Sequence, residues 1–458
     1  MSRRWVVLAL VLVVESLDLL NASVTTIAAP TVAADLGGGD LVVEWLGAGY
    51  ALALGALLVL GGRLGDRHGR RTMFLLGTAG FTLGSAGCGL AVDPTTLIAA
   101  RLLQGVSGAM VLPQGFGLLA SVFPRAELGK AFSAFGPVLG LTTVGGPILG
   151  GFILHADLFG LGWRPIFGID VLLGISAIVV GRRVLPGDTA MPATVIDGLG
   201  SGLLGLSMLA LLYGLLDGST HGWTPVPLML LTAGLLCFAL FCWRQRTATH
   251  PLIERSLLHN RGFTSGLVLG AVFFAAASGL LYVIPLFLQS GLGQTPLGTA
   301  LALSPSALGI LIASTVANRL LTVLGRGLTV IGLLGVLCGV GWLLLVVPGP
   351  RIGAAELAAP VLVIGLGLGS CFGSLYDLTL RDVDVHEAGS GSGSLTAVEQ
   401  LSNGAGIAAV TTIFFGSART GDHVTALVTG LLAVAAGLVV CCALVWRLPV
   451  RDRQLARG

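Results

Sequence analysis

Several ionisable and amide side chains lie inside long apolar segments of this chain, where they could bind protons, ions or a substrate. Glu15, Asp18 and Asn21 recur every three residues in the first apolar segment, so they share one face of a helix. Arg101 lies in a later apolar segment, and Gln104 follows it on the next turn. Charges in hydrocarbon are costly and usually face an interior cavity. We therefore expect these five residues to line a proton-coupling or substrate site.

Two interpretations of Asp18 and Arg101 are open from the residues alone. At about 1.5 Å of rise per residue, their positions in their segments place both at a similar depth in a membrane. A neighbouring arginine stabilises a carboxylate whereas burial stabilises the protonated acid, and these opposing effects would make a proton switch. The alternatives are a purely structural pair and, for Arg101, an anchor near the outer interface.

Three further acids are weaker candidates, because they lie near segment ends or in an uncertain helical register: Asp170, Asp377 and Glu399. Glu399 has Gln400 and Asn403 on neighbouring turns. It either faces the cavity from the second half of the chain or caps a helix end.

The composition is that of a membrane protein. Of the 458 residues, 54% are hydrophobic, 10% are charged and 70 are glycines. Apolar segments of about 20 residues can cross the hydrocarbon layer as helices, and small residues let such helices pack closely. The net charge of +3 comes from dispersed residues, which argues against nucleic-acid binding. The seven cysteines lie in apolar segments without zinc or disulfide spacing.

Fourteen apolar segments between polar, glycine or proline breaks are predicted to be membrane-spanning helices. With both termini in the cytoplasm, most of the 25 lysines and arginines fall on the cytoplasmic side, as the positive-inside rule requires. The exceptions are Arg101, Arg164, Arg351 and Arg419. The predicted spans are 5–28, 44–62, 73–92, 96–119, 131–153, 164–181, 198–216, 226–243, 263–289, 298–318, 327–347, 357–380, 394–415 and 424–446.

The order of the segments indicates two six-helix halves separated by two inserted helices. The basic turn GRLGDRHGRR at 62–71 has a weaker counterpart, RLLTVLGRG, at 319–327. Internal repeats of this kind are typical of secondary transporters, whose halves rock about a central site. We therefore predict an N-terminal six-helix bundle at 1–183, a two-helix insert with a cytoplasmic linker at 184–262, and a C-terminal six-helix bundle at 263–458.

The turn at 62–71 resembles the cytoplasmic signature of the major facilitator superfamily. The resemblance implies an all-helical major facilitator fold and a conformational latch, whose aspartate is held in one conformation and released in the other. Physically, glycines permit a tight turn, and Asp66 can cap the positive end of the third helix. The latch residues are Gly62, Asp66, Arg67, Gly69, Arg70 and Arg71.

Further segments resemble the fourteen-span drug:proton antiporter-2 family along essentially the whole chain. They include EWLGAGYALALGALLVLGGRLGD, LIAARLLQGVSGAMVLP and GGPILGG. The last of these resembles the antiporter motif of the fifth helix, in which four residues weaken and bend the helix: Gly146, Pro147, Gly150 and Gly151. The resemblance also implies a role for Arg101 in proton transfer.

The chain departs from the usual residues of that family in its first and sixth helices. Asn21 stands where an aspartate is usual, and Thr26 stands where an asparagine is usual. Asp170 stands where an asparagine is common, and Asp18 lies one turn before Asn21. The resemblance therefore does not identify the acid that couples protons.

The function that the resemblance implies is proton-coupled efflux of small lipophilic compounds, such as drugs, antibiotics or antiseptics, by alternating access. The expected partners are protons, the lipid bilayer and a lipophilic substrate, which the first-helix acids allow to be cationic. We expect a multi-pass monomer in the bacterial cytoplasmic membrane, driven by the proton gradient without a cofactor. The alternatives are a narrow exporter of an endogenous metabolite, an uptake system and a non-transporting sensor. An enzyme is disfavoured because no nucleophile, acid–base pair or metal cluster is evident.

Overall fold

The computed structural model of the chain is almost entirely helical over the residues it describes, which are 3–37, 39–124, 127, 131, 134–187, 197–249, 251–347, 354–384, 387–418 and 422–447. Fourteen helices in these ranges have at least 20 residues. They are α1 Arg3–Leu36, α2 Gly39–His68, α3 Arg70–Gly89, α4 Pro94–Val122, α5 Phe135–Ala156, α6 Arg164–Val184, α7 Gly198–His221, α8 Pro225–Thr247, α9 Arg261–Leu286, α10 Pro296–Leu324, α11 Arg326–Val346, α12 Ala354–Leu380, α13 Ala388–Ala418 and α14 His423–Leu444. A short helix, Arg255–His259, precedes α9, and a π-helical turn, Phe287–Gly291, follows it.

Ten of these helices are long and apolar enough to cross a membrane, counting only the described part of the chain: α2, α4, α6 through α12, and α14. The prediction of an all-helical protein with many membrane spans is therefore confirmed. Each of the fourteen predicted segments overlaps one of the fourteen long helices. Several helices extend beyond the predicted segments, as α1 does by reaching Leu36, because hydrogen bonding along a helix continues after the apolar run ends.

The chain folds as two compact units. The first contains Met1–Leu128, Gly145–Arg255 and Asp384–Gly404, and the second contains Gly129–Val144, Ser256–Val383 and Ala405–Gly458. In the first unit α4 packs on α2 and α3, and α6 packs on α3 and α1. In the second unit α12 packs on α10 and α11, and α14 packs on α11 and α9. The same helix pairs therefore recur eight helices later.

Glycines bring the backbones of paired helices together, as the composition predicts. A Cβ atom at Gly61 of α2 would lie 1.9 Å from the carbonyl oxygen of Ala109 of α4. In the second unit, a Cβ atom at Gly365 of α12 would lie 2.0 Å from the carbonyl oxygen of Ser306 of α10. Side chains at these positions would force the helices apart, so the helix pairing depends on the absence of a side chain.

The two turns that resemble each other in sequence each contain one glycine with a positive φ angle. Gly69 alone separates α2 from α3, with φ of +95°, and Gly325 alone separates α10 from α11, with φ of +52°. Residues with a Cβ atom rarely adopt such positive φ angles. A single glycine therefore reverses the chain at both turns.

Candidate functional site

The side chain of Arg101 is the centre of a buried polar network in the first unit. Arg101 lies on the second turn of α4, whose start is capped by Asp93 accepting a hydrogen bond from the Thr96 backbone. Its guanidinium is fully buried. Nε donates to the carbonyl oxygen of Leu46 at 2.5 Å, and Nη1 donates to Gln104 Oε1 at 2.9 Å. Arg101 is thus a buried cation held by neutral acceptors.

Tyr50 connects Arg101 to Asp18. The Tyr50 hydroxyl donates a hydrogen bond to Asp18 Oδ1. The guanidinium carbon of Arg101 lies 5.2 Å from the centre of the Tyr50 ring, a distance suited to a cation–π interaction. No ion pair joins Arg101 to Asp18 among the described residues. The acid and the cation thus act on each other across one aromatic ring.

Asn21 connects Arg101 to a second acid, Asp170 of α6. Arg101 Nη1 donates to Asn21 Oδ1, and Asn21 Nδ2 donates to Asp170 Oδ2. Asp170 is only 4% exposed, although its place near the end of a predicted segment indicated a peripheral acid. The difference arises because α6 packs on both α1 and α3, which bury its second turn.

Gln104 extends the network to α3. Its Nε2 donates to Ser85 Oγ at 2.7 Å, and its Oε1 also accepts from Cys88 Sγ at 3.4 Å. The network therefore joins α1, α2, α3, α4 and α6 through side chains that are buried or half-buried. The predicted grouping of Asp18, Asn21, Arg101 and Gln104 agrees with this geometry.

Glu15 and Glu399 lie away from the Arg101 network. Glu15 is one turn before Asp18 on α1, and a Cβ atom at Gly115 of α4 would lie 3.1 Å from its Oε1. Glu15 is close enough to interact electrostatically with both Asp18 and Glu399. Glu399 lies in the part of α13 that belongs to the first unit. These two acids form a second acidic position beside the site.

A small cavity opens beside Asp18 and Tyr50. Its volume is about 10 Å³, near the minimum that one water molecule requires. Its other lining residues come mainly from α1, α3 and α4 and are largely apolar: Val14, Leu17, Thr78, Phe81, Gly108, Val111 and Leu112. Asp18 is thus the charged residue in this lining.

The latch residues meet at the end of α2 and the start of α3. Arg70 Nη2 donates to Asp66 Oδ1 at 3.2 Å, and its Nη1 donates to the carbonyl oxygen of Gly117 at 3.1 Å. Arg71 donates to the carbonyl oxygen of Arg182 at 2.7 Å, whereas Arg67 is exposed. Gly62 is buried and Gly69 forms the turn.

The predicted role of Asp66 as a helix cap is wrong. The α3 helix begins after Gly69, and no side chain caps its first turn. Asp66 is still in the last turn of α2, so its carboxylate lies beside Arg70, four residues further on, instead of beside the first backbone amides. Its contribution is an ion pair across the turn.

A charge that the sequence analysis missed lies beside the latch. Arg63 Nη1 donates to Glu254 Oε1 at 2.8 Å, in the segment between α8 and α9. Gln245 holds the same segment through the backbone of Leu252 and Ile253. The end of α2 is thereby tied to the segment that leads out of the first unit.

The residues of the predicted antiporter motif lie on α5, which runs as one continuous helix. Gly146 and Gly150 are buried, Gly151 is half-buried, and the side chain of Pro147 is outside the described residues. A Cβ atom at Gly151 would meet no atom within 4 Å. The predicted weakening of this helix therefore remains a prediction.

Tyr50 is the functional candidate that the sequence analysis missed most clearly. Its signal was a lone phenol among apolar residues of the second segment, which alone does not indicate a partner. Among the described residues, no group of three or more histidine, cysteine or acidic side chains is arranged to hold a metal ion. The site is built from one cation, two acids and neutral bridges between them.

Comparison with known proteins identifies one family and several relatives. The model of the Major Facilitator Superfamily matches residues 11–407. A probable actinorhodin transporter of Streptomyces coelicolor is 41% identical over 91% of this chain and 73% of its own length. The puromycin resistance protein of Streptomyces alboniger is 32% identical over 92% of this chain and 84% of its own length. The tetracenomycin C resistance and export protein of Streptomyces glaucescens is 30% identical over 92% of this chain and 77% of its own length.

Solved structures with the same fold include transporters of distant sequence. The human organic anion transporter MFSD10 superposes with a TM-score of 0.72 at 15% identity, covering 97% of this chain and 100% of that structure. The proton:xylose symporter XylE superposes with a TM-score of 0.66 at 13% identity, covering 97% and 95%. At these identities the likeness concerns the fold.

Removing the Tyr50 hydroxyl tests the bridge to Asp18. Tyr50→Phe keeps the ring beside Arg101 but leaves Asp18 without its donor. We expect the free energy of unfolding to fall by about 1.5–3 kcal/mol, the usual contribution of a hydrogen bond to a charged group. Chemical denaturation of the detergent-purified protein measures the loss. Tyr282→Phe is the control, because that half-exposed hydroxyl makes no hydrogen bond among the described residues. Equal stability of the two variants would contradict the bridge.

Displacing Arg70 without altering its charge tests the latch. A Cβ atom at Gly117 would lie 2.7 Å from Arg70 Cδ, and that flexible side chain can move aside. We expect Gly117→Ala to fold normally and to slow transport about tenfold, since the Arg70 bonds to Asp66 and to residue 117 are lost. Gly341→Ala, which meets no atom within 4 Å, is the control in a vesicle transport assay. Unchanged transport in Gly117→Ala would exclude this role for Arg70.

Proposed function

The chain belongs to the major facilitator superfamily, and we propose that it exports small lipophilic compounds across the bacterial cytoplasmic membrane in exchange for protons. It is a multi-pass membrane protein. The proton gradient supplies the energy, and no cofactor takes part in the proposal. The chain carries both sets of recurring helix pairs, so we propose that it works as a monomer.

The observation that carries this proposal is the position of Asp18. Asp18 lines a small cavity inside a bundle of membrane helices, and its carboxyl accepts a hydrogen bond from Tyr50 and lies one ring away from the Arg101 cation. An ionisable group in such a place is usually part of a proton or substrate pathway. The cationic Arg101 stabilises the ionised acid and the apolar walls stabilise the protonated acid, so its protonation state can follow the transport cycle.

The acids also bear on the charge of the substrate. Arg101 already donates hydrogen bonds to Leu46, Asn21 and Gln104, so fewer of its donors are available to an anionic compound. No described residue donates a hydrogen bond to the Glu15 carboxylate, which lies on the same face of α1. A carboxylate in a low dielectric attracts a cation. We therefore propose that Glu15 and Asp18 accommodate lipophilic or amphipathic cations, and that protonation of Asp18 favours their release.

The named relatives support export of antibiotics. They are called a transporter of actinorhodin, a resistance and export protein for tetracenomycin C and a puromycin resistance protein. Relatives of about 30% identity are named multidrug resistance proteins. The greater identity to a transporter named for one compound favours, as a second candidate, a narrow exporter of one endogenous metabolite.

Alternating access fits the recurrence of helix pairs. The pairs α2–α4, α3–α4, α3–α6 and α1–α6 recur as α10–α12, α11–α12, α11–α14 and α9–α14. This recurrence supports our division into six-helix halves at 1–183 and 263–458 around an insert at 184–262. We propose that all fourteen long helices span the membrane with both termini in the cytoplasm. The Asp66–Arg70 pair would then lie in a cytoplasmic turn, where its breakage can accompany the change of conformation.

Proton movement in acidified inside-out vesicles tests the proposed function. We expect puromycin, tetracenomycin C or actinorhodin, added outside, to drive protons out of vesicles that contain the protein. Asp18→Asn should abolish this release and leave folding intact, because an amide cannot carry the proton. Asp35→Asn is the matched control, since Asp35 lies at the end of the same helix and is bound by Trp163 and Arg164. A pH-sensitive dye measures the release.

The outcomes separate the candidates. Release by one compound alone favours the narrow exporter, and release by several favours multidrug export. Compound binding without any proton release or transport would contradict export and indicate a sensor. Full proton-coupled activity in Asp18→Asn would remove Asp18 from the mechanism.

Labelling of a single cysteine tests the proposed orientation. In a background without the seven native cysteines, Leu292→Cys should react with a membrane-impermeant reagent only from outside the cell. Leu292 is 38% exposed and follows the π-helical turn after α9. Arg246→Cys, at the exposed end of α8, should react only from the cytoplasm. Cytoplasmic labelling at residue 292 would overturn the topology.

A further inference from the structure

Asp170 is a buried acid that the proposed mechanism has not used. It is 4% exposed and accepts a hydrogen bond from Asn21. The charged or titratable groups that face it are Arg101 from α4, Asp18 from α1 and Cys88 from α3. None of the described residues forms an ion pair with Asp170. Its negative charge is therefore balanced by hydrogen bonds from Asn21 and Ser85 and by the Arg101 cation beyond Asn21.

The Asn21 amide can satisfy both neighbours in one orientation only. A guanidinium has donors and no acceptor, whereas an ionised carboxylate has acceptors and no donor. Asn21 must then turn its oxygen to Arg101 and its NH₂ group to Asp170, as the structure shows. Protonation gives Asp170 a donor as well as an acceptor. The donors of Arg101 still hold the Asn21 oxygen, but the hydrogen bond from the Asn21 NH₂ group to the neutral acid is weaker than one to a carboxylate, so Asn21 holds Arg101 less firmly.

The charges of Arg101, Asp18 and Asp170 also favour the binding of a proton by one of the two acids. Arg101 contributes one positive charge, and Asp18 and Asp170 contribute two negative charges when both are ionised. Two carboxylates in a low-dielectric site disfavour each other's ionisation. A state in which one proton resides on the pair of acids makes the cluster neutral. Arg101 is linked to one acid by Tyr50 and to the other by Asn21, so a proton on either acid changes the balance of forces on the same cation.

We infer that Asp170 is a second proton-binding carboxylate of the transport cycle, and that Asn21 is the positioning residue through which its charge state acts on Arg101. A proton arriving on Asp170 forms a neutral carboxylic acid there, and it leaves again when the carboxylate is restored. The part concerning the transport cycle rests on the proposed function, whereas proton binding by Asp170 does not.

Infrared difference spectroscopy of the purified full-length protein in lipid nanodiscs tests proton binding without a substrate. Spectra taken across the physiological pH range detect carboxyl groups that gain or lose a proton. We expect one carboxylic-acid band that is absent from Asp170→Asn and another that is absent from Asp18→Asn. An asparagine at 170 can still accept the Asn21 hydrogen bond, so this substitution removes the proton site and keeps the contact.

Asp35→Asn is the control for the infrared measurement. Hydrogen bonds from Trp163 and Arg164 hold the pKa of the Asp35 carboxyl below its usual value. Asp35 therefore stays ionised in this pH range, and its replacement should change neither band. The exchange variant with Asn21→Asp and Asp170→Asn is the second test, because it keeps one acid and one amide in contact. We expect no carboxylic-acid band in place of the lost one, because an acid at residue 21 lies against Arg101, which stabilises its ionised form.

The results decide the inference as follows. Spectra of Asp170→Asn that match the wild type would overturn it. In vesicles, Asp170→Asn should reduce compound-driven proton movement by about tenfold or more while compound binding persists. A purely structural Asp170 would leave this movement and its pH profile unchanged. A wild type that moves no protons for any compound would contradict the proposed export, whereas the infrared bands decide proton binding by Asp170 independently.

Discussion

The buried positive charge of Arg101 is the constraint on which the site depends. A guanidinium taken out of water is costly unless every donor finds an acceptor and an opposite charge lies nearby. Here the acceptors are neutral groups of α1, α2 and α4, and the two acids sit one bridging side chain away. The cation is therefore held by neutral acceptors and forms no ion pair with either carboxylate among the described residues, and we propose that either acid can exchange its proton.

Close helix packing makes this arrangement possible. Gly105 lies on the turn after Arg101, and a Cβ atom there would lie 2.4 Å from the carbonyl oxygen of Tyr50. The absence of a side chain at this position brings α2 against α4, so that the Leu46 carbonyl and the Tyr50 ring both reach the guanidinium. Further along α4, Gly117 leaves room for Arg70 of α3 in the latch. Glycines of α4 thus set the geometry at both places.

Sequence patterns predicted the elements of this structure better than the partners of individual side chains. Apolar segment lengths located all the long helices, and three-residue spacing placed Asp18 and Asn21 on one face. Tyr50, Asp170 and Glu254 became partners of other side chains because of which helices adjoin and how each helix is rotated about its axis. The spacing of apolar residues along one chain gives no information on either point. Asp66 illustrates the limit. The second helix was predicted to end at residue 62 but continues to His68, so Asp66 forms an ion pair with Arg70 instead of capping α3. The family resemblance indicated a role for Arg101 but not its route to the acids.

The most direct test of this account is a double-mutant cycle for the free energy of unfolding, using Asp18→Asn, Asp170→Asn and the combined variant. If both acids act on one buried cation, their effects are not additive, and we predict a coupling energy of about 0.5–3 kcal/mol. Removal of the second acid should then destabilise the protein more than removal of the first, because Arg101 is left without an opposite charge. Effects that add to within about 0.5 kcal/mol would contradict a shared dependence on Arg101.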